Sequence, residues 1–155
     1  MVHFNSASIS TKLGIFSVVE NDGAIVKLLW GAHDHGPETP LLKRACQQLI
    51  EYGDGQREVF DLPLYVGGTQ FQKNVCDAMS AIPFGDTTTY GDIARDLKAS
   101  PQAVGNACGA NPIPVIIPCH RVMAAHGGLG GFSGAGGVET KIQLLRHEKA
   151  GGFLI

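Results

Sequence analysis

The chain lacks any apolar run long enough to cross a membrane as a helix, and polar residues rather than an apolar leader core follow Met1. A membrane span and a secretory leader are therefore not expected. It also lacks any Cys-x-x-Cys and any Cys/His cluster at zinc-finger spacing, so a structural metal is not expected. His3, His33, His35 and His126 read as surface or loop residues rather than ligands. Neither G-x-G-x-x-G nor G-x-x-x-x-G-K-[ST] occurs, which disfavours a phosphate cradle and a nucleotide cofactor. Basic excess is missing too. Lys and Arg total 12 against 14 Asp and Glu, a formal charge of −2. Bulk electrostatics will not hold a polyanion, so any basic face must be local. Cysteine is scarce, at Cys46, Cys76, Cys108 and Cys119, which fits unpaired thiols in a reduced, cytoplasmic chain.

What is present suffices for a packed core. The 155 residues are 44% hydrophobic, enough for one good domain or two small ones. Ile9 to Trp30 reads as a β-hairpin around the turn Glu20-Asn21-Asp22-Gly23. Thr39 and Pro40 fit the cap and first residue of a helix running to about Tyr52. Val59 to Val66 reads as a last strand, which closes a small α/β unit over residues 1–66. Gly67-Gly68 opens a second, mostly helical unit over 67–155. Thr69 caps a helix through Ala81, and Ile82-Pro83-Phe84-Gly85 breaks it. Thr89 caps Tyr90 to Leu97, and a turn at 98–100 leads to a helix from Pro101 to about Cys108. That spacing suits a helix-turn-helix or a plain αα-hairpin. Only Arg95 and Lys98 are basic across it. Glu139 to Glu148 reads as a closing amphipathic helix with Ile142, Leu144 and Leu145 inward.

Pro118-Cys119-His120-Arg121 is the segment that points to chemistry. The run Asn111-Pro112-Ile113-Pro114-Val115-Ile116-Ile117 enters it. Proline disfavours helix at itself and at the residue before, so the run reads as an extended, buried strand that delivers Cys119 below the surface. A buried thiol attacks poorly unless a neighbour takes its proton, and His120 is the nearest. Read alone, the pair stays ambiguous: buried cysteine usually only packs, and neighbours on an extended chain point to opposite faces. By themselves Asn111 is an ordinary turn residue, Tyr90 a core aromatic and Glu148 a solvated charge. The glycine-rich stretch Gly127 to Gly137 reads as a tight loop that approaches a ligand closely.

Taken in order, these residues resemble the O6-alkylguanine-DNA alkyltransferase family. The matching text is Ile82-Pro83-Phe84-Gly85, Thr89-Tyr90-Gly91, Ala103-Val104-Gly105, Asn111-Pro112-Ile113-Pro114 and Ile117-Pro118-Cys119-His120-Arg121-Val122. Lys141 and Leu144-Leu145-x-His147-Glu148 close it. The match runs from about Phe71 to Glu148, and residues 1–66 match more loosely. The resemblance implies an α/β N-terminal unit and a helix-turn-helix, winged-helix-like C-terminal domain. It implies a monomer that binds double-stranded DNA carrying O6-alkylguanine, flips the damaged base, and moves the alkyl group to Cys119 once and irreversibly. No cofactor, metal or membrane is implied.

The roles it implies are these. His120 withdraws the thiol proton, in the family through a water, and Glu148 orients the imidazole. Tyr90 protonates the departing guanine at N3, with Lys141 assisting. Asn111 ties the recognition helix to the active-site segment. Val122, Phe132, Ser133 and Gly134 line the base pocket. Thr89, Tyr90, Gln102, Ala103, Gly105, Asn106 and Arg121 face DNA. The chain departs from the family pattern at Gln102, where an intercalating arginine is usual, and at Ala110, where a basic residue is common; Phe132 stands where tyrosine is frequent. These departures bear on DNA affinity and base flipping rather than on the thiol. Two rival readings are a lesion sensor that transfers poorly and a Cys-His thiol enzyme for small molecules.

Overall fold

The structure is a computed structural model that describes residues 4–125, 128–129 and 137–150. The chain divides into two compact units at Val66 and Gly67. In the first, strands β1 (Phe4–Thr11), β2 (Gly14–Asn21) and β3 (Ala24–Trp30) form an antiparallel meander in the order β1-β2-β3. The two-residue turn between β2 and β3 has Asp22 at φ 54 and Gly23 at φ 82. Two successive left-handed residues give the twist that a tight hairpin needs. Helix α1 (Pro40–Gly53) packs Leu42, Ala45, Leu49 and Tyr52 inward, and the Thr39 hydroxyl accepts the Leu42 N–H at its start.

Two features of this unit differ from expectation. A third strand, β1, precedes the expected hairpin and pairs with β2 along its whole length. The expected strand over 59–66 is an irregular segment that meets β3 at a single bridge, Ile25 with Leu64. Ile25 donates to the Pro63 carbonyl at 2.8 Å and accepts from Tyr65 at 3.0 Å. Pro63 itself has no N–H to extend a ladder. The preceding residues are drawn to α1 instead: Gln48 donates to the Asp61 carbonyl at 3.1 Å and accepts from the Asp61 N–H at 2.9 Å.

The second unit begins with α2 (Gln70–Ser80), capped by Thr69. Gly85, at φ 87, completes the turn that ends it, a conformation a side chain would strain. Strand β4 (Thr88–Thr89) runs parallel to β5 (Val122–Met123), with Thr89 opposite Met123. Thr89 is also the N-cap of α3 (Tyr90–Leu97). One residue thus ends a strand and starts a helix, which seats Tyr90 beside the chain leaving the Cys119 turn. Lys98, left-handed at φ 55, turns α3 into α4 (Pro101–Gly109), whose cap is Ser100. Helix α5 (Val138–Glu148) closes the described chain, with Leu144 and Leu145 buried as expected and Ile142 half-buried.

Candidate active site

The segment before Cys119 is buried as expected but is not a strand. It folds back on itself: Ile117 donates to the Ile113 carbonyl at 2.8 Å and Ile116 to the Pro114 carbonyl at 2.9 Å. Pro112 and Pro114 lack donors, so an extended ladder through them would be broken. Asn111 supplies the missing partners. Its Nδ2 donates to the Ile117 carbonyl at 2.8 Å and its Oδ1 accepts the Ile113 N–H at 3.0 Å. Val115 is held at φ 72, which a β-branched residue adopts only under constraint. The chain then enters a short 3-10 turn, Cys119–Arg121. In a turn, successive side chains do not alternate between opposite faces, so the objection drawn from an extended chain does not apply.

Cys119 is 8% exposed, His120 and Lys141 0%, Glu148 2% and Arg121 6%. A buried set this polar must satisfy itself internally. His120 Nε2 lies 2.7 Å from Glu148 Oε2. A carboxylate only accepts, so Nε2 carries the hydrogen and Nδ1 keeps its lone pair. Nδ1 is buried without a hydrogen-bond partner among the described residues. Lys141 Nζ donates to the Val122 carbonyl at 2.7 Å and stands 5.8 Å from the centre of the Tyr90 ring.

Burial sets the electrostatics. It pushes the Cys119 thiol up, against a hydrogen bond from the Asn111 side chain and the nearby Lys141 charge, which pull it down. Burial pushes His120 down, against the Glu148 hydrogen bond. The two groups move in opposite directions, so the resting pair is neutral thiol and neutral imidazole rather than an ion pair. An imidazole in that state is a general base for a thiol that loses its proton as it attacks. Tyr90 is pushed up to about 12, chiefly by burial, so its hydroxyl keeps its proton at neutral pH. Burial lowers Lys141, and only the thiolate forms of Cys119 and Cys108 would raise it.

The structure thus gathers Cys119, His120, Glu148 and Asn111, and sets Lys141 against Tyr90. Val122 is buried in β5 and offers its carbonyl to Lys141. Arg121 is a correction. Expected at a DNA face, its guanidinium turns inward, with Nε 2.7 Å from Glu148 Oε1 and Nη2 3.0 Å from Oε2. Nη1 donates to the Ile82 carbonyl at 2.6 Å, and the guanidinium carbon lies 5.8 Å from the Phe84 ring centre. An arginine within the apolar text Ile116-Ile117-Pro118-Cys119-His120-Arg121-Val122-Met123 needs a buried anion, and that was the available signal for its position. Thr89 uses its hydroxyl to cap the Asp92 N–H at 3.0 Å. On α4, Gln102 and Asn106 are exposed one turn apart, Ala103 and Gly105 are half-buried, and no residue of the helix is charged. Phe132, Ser133 and Gly134 lie outside the described residues.

Residues 70–150 match the family model described as 6-O-methylguanine DNA methyltransferase, DNA binding domain. The chain belongs to the methylated-DNA–protein-cysteine methyltransferase family. It is 44% identical over 148 residues to the inducible methylated-DNA–protein-cysteine methyltransferase of Bacillus subtilis strain 168, covering 90% of this chain and 82% of that one. To the constitutive protein of the same strain it is 37% identical over 152 residues, covering 90% and 92%. Among solved structures it is similar to the O6-methylguanine methyltransferase of Mycobacterium tuberculosis, with a TM-score of 0.82 and 34% identity over 95% of this chain and 93% of that one. A structure of Mycobacterium tuberculosis OGT in complex with DNA matches with a TM-score of 0.81 and 34% identity over 93% and 92%. These likenesses span both compact units, and the three-stranded sheet with its helix followed by a helical region is the fold the family resemblance implies.

Proposed function

We propose that this chain carries out its family's reaction on Cys119. It binds double-stranded DNA and moves the alkyl group of O6-alkylguanine to that sulfur in a single turnover. The observation that carries the reading is the 2.7 Å contact of His120 Nε2 with Glu148, which leaves Nδ1 as the basic atom in the same turn as Cys119. The thiol proton passes to His120 as the carbon–sulfur bond forms and the bond from carbon to O6 breaks. The departing guanine takes a proton at N3 from Tyr90, whose hydroxyl is recharged from the surroundings. His120 releases the thiol's proton to the same surroundings, the guanine proton moves from N3 to N1 through solvent, and the net result is one thioether and one ordinary guanine. Because nothing cleaves the thioether, each molecule acts once.

In this reading the unit from Gly67 onward binds DNA and performs the transfer, while the α/β unit accompanies it. The protein acts as a monomer. Its four cysteines, none in a disulfide, suit the reducing cytoplasm, and no helix among the described residues is long and apolar enough to cross a membrane. The exposed Gln102 on an uncharged α4 favours one second reading, a lesion binder that transfers slowly. Intact-mass measurement after mixing with an O6-methylguanine duplex separates them. The transfer reading expects one methyl per protein, on the peptide that contains Cys119, and none in Cys119→Ser. Binding without mass gain supports the sensor. Methyl on Cys46, Cys76 or Cys108, or repeated turnover, overturns the assignment of Cys119.

A further inference from the structure

Arg121 has a use that its place beside His120 does not reveal. Glu148 is buried and takes hydrogen bonds from two side chains, one from His120 and two from Arg121. A neutral imidazole alone is a poor partner for a buried carboxylate, because it brings no compensating charge. The guanidinium supplies that charge in a fork that matches both carboxylate oxygens. Its third contact, to the Ile82 carbonyl, anchors the fork to the turn that follows α2. Glu148 itself is the last residue of α5. The carboxylate is therefore fixed from two sides, and its direction toward Nε2 follows.

We propose that Arg121 is a positioning residue of the transfer reaction: it holds the Glu148 carboxylate in the orientation that keeps the hydrogen of His120 on Nε2 and the lone pair on Nδ1. It touches neither substrate nor DNA, and its effect reaches Cys119 through Glu148 and His120. Titratable or charged groups among the described residues that influence this network include Cys119 in the same turn, Lys141 on α5, Cys76 on α2, Cys108 on α4 and Tyr90 on α3. Arg121 places two hydrogen bonds and a full positive charge on the Glu148 carboxylate, so the loss of Arg121 removes both from it. Glu148 then protonates at a higher pH, and a protonated carboxyl no longer fixes the imidazole hydrogen.

The role rests on the reading that Cys119 accepts the alkyl group, and the experiment separates the two. Alkyl gain on Cys119 is timed by intact mass from pH 5.5 to 9, with free O6-alkylguanine base and with methylated duplex. Wild type, Arg121→Lys and Arg121→Met are compared. Arg121→Met is expected to lose at least about tenfold at neutral pH on both donors by the same factor, part of the roughly 10²–10⁴-fold that base catalysis contributes. Its acid limb should move to higher pH, and raising the pH should recover most of the rate. Arg121→Lys, which keeps a charge but not the fork, should move the limb less and recover part of the activity. If Arg121→Met does not fold, the lysine variant carries the same comparison. Arg121→Met/Glu148→Gln should melt higher than Arg121→Met, since it buries no lone charge. The salt dependence of duplex binding should not change. A loss confined to duplex, with a flattened salt slope, would assign Arg121 to DNA and overturn the proposal. A loss that is uniform across pH and follows the folded fraction would overturn it as well. A wild-type chain that gains no alkyl group removes the functional reading, and this role with it.

Discussion

Replacing Asn111 tests whether the fold-back before Cys119 is a clamp, a thiol partner, or both. Asn111→Ala removes the 2.8 Å bond to the Ile117 carbonyl and the 3.0 Å bond from the Ile113 N–H. Both isoleucines are buried. The Ile113 N–H is left unpaired, which costs about 1–3 kcal/mol, while the Ile117 carbonyl loses one bond worth about 1 kcal/mol and keeps the Cys119 N–H at 2.8 Å. Asn111 is only half-buried, and water entering beside it offsets part of this. The expected loss is about 2–3 kcal/mol, which lowers Tm by roughly 4–12 °C in a chain of this size. The left-handed Val115 relaxes once its restraints go, which moves the segment that carries Cys119. Cys119 then shifts, and a displacement of about 1 Å is enough to cost on the order of 10² in rate.

Asn111→Asp separates the two roles. The carboxylate keeps an acceptor for the Ile113 N–H but turns an acceptor toward the Ile117 carbonyl and toward the sulfur. Its folded pKa should therefore rise above the usual ~3.9, since only the protonated acid can donate as the amide does. A group raised on folding contributes stability that is fully present below its unfolded pKa and is lost as pH rises through the folded value. The aspartate variant should thus be worst at neutral and alkaline pH and improve toward acid, in Tm and in transfer rate. The alanine variant should keep the wild-type pH profile at a lower level. Thermal unfolding and single-turnover alkylation with free O6-alkylguanine measure both. Identical profiles for the two variants would show that the amide does not serve the thiol, and an unchanged Tm in Asn111→Ala would refute the clamp.

Three further expectations are open to measurement. Tyr90→Phe should slow transfer from DNA by about 10²-fold or more, while Tm moves by no more than a few degrees; a donor with a good leaving group should be far less affected, and equal slowing on both would make Tyr90 a packing residue. Gln102→Arg should speed repair of duplex DNA and steepen the salt dependence of binding by about one contact, leaving reaction with free base unchanged; equal acceleration on both substrates would place Gln102 away from the flipped base. Burial raises Cys46 to about 11 and Cys108 to about 12 from 9.0, so the folded chain retains thiol protons that the unfolded chain releases. Their stabilisation is complete below pH 9.0 and declines as pH rises toward those values, so Tm should fall steeply there and less so in Cys108→Ala; a flat Tm from pH 9 to 11 would contradict it.

Local chemistry was enough for the helices. Thr39-Pro40, Thr69, Thr89 and Ser100-Pro101 each put a hydroxyl acceptor before a helix, and α1 to α4 start where those residues lie. A cap is an interaction within four residues, so sequence carries it whole. The order of motifs from Phe71 to Glu148 likewise marked Cys119, His120 and Glu148, through the family resemblance rather than through any of these residues taken singly. The remainder depended on partners distant in the chain. The text Asn5-Ser6-Ala7-Ser8 has weak strand character, and β1 exists because β2 offers it a full ladder. Val59 to Val66 has stronger character, yet it meets β3 only once, since Pro63 cannot donate and α1 holds Asp61. The proline-rich run reads as extended from its own residues, but the Asn111 side chain folds it back. Arg121 shows the limit most plainly. The apolar text around Arg121 hints at burial but names no partner; a carboxylate 27 residues later decides its direction, and only the packing of α5 brings that carboxylate within 2.7 Å.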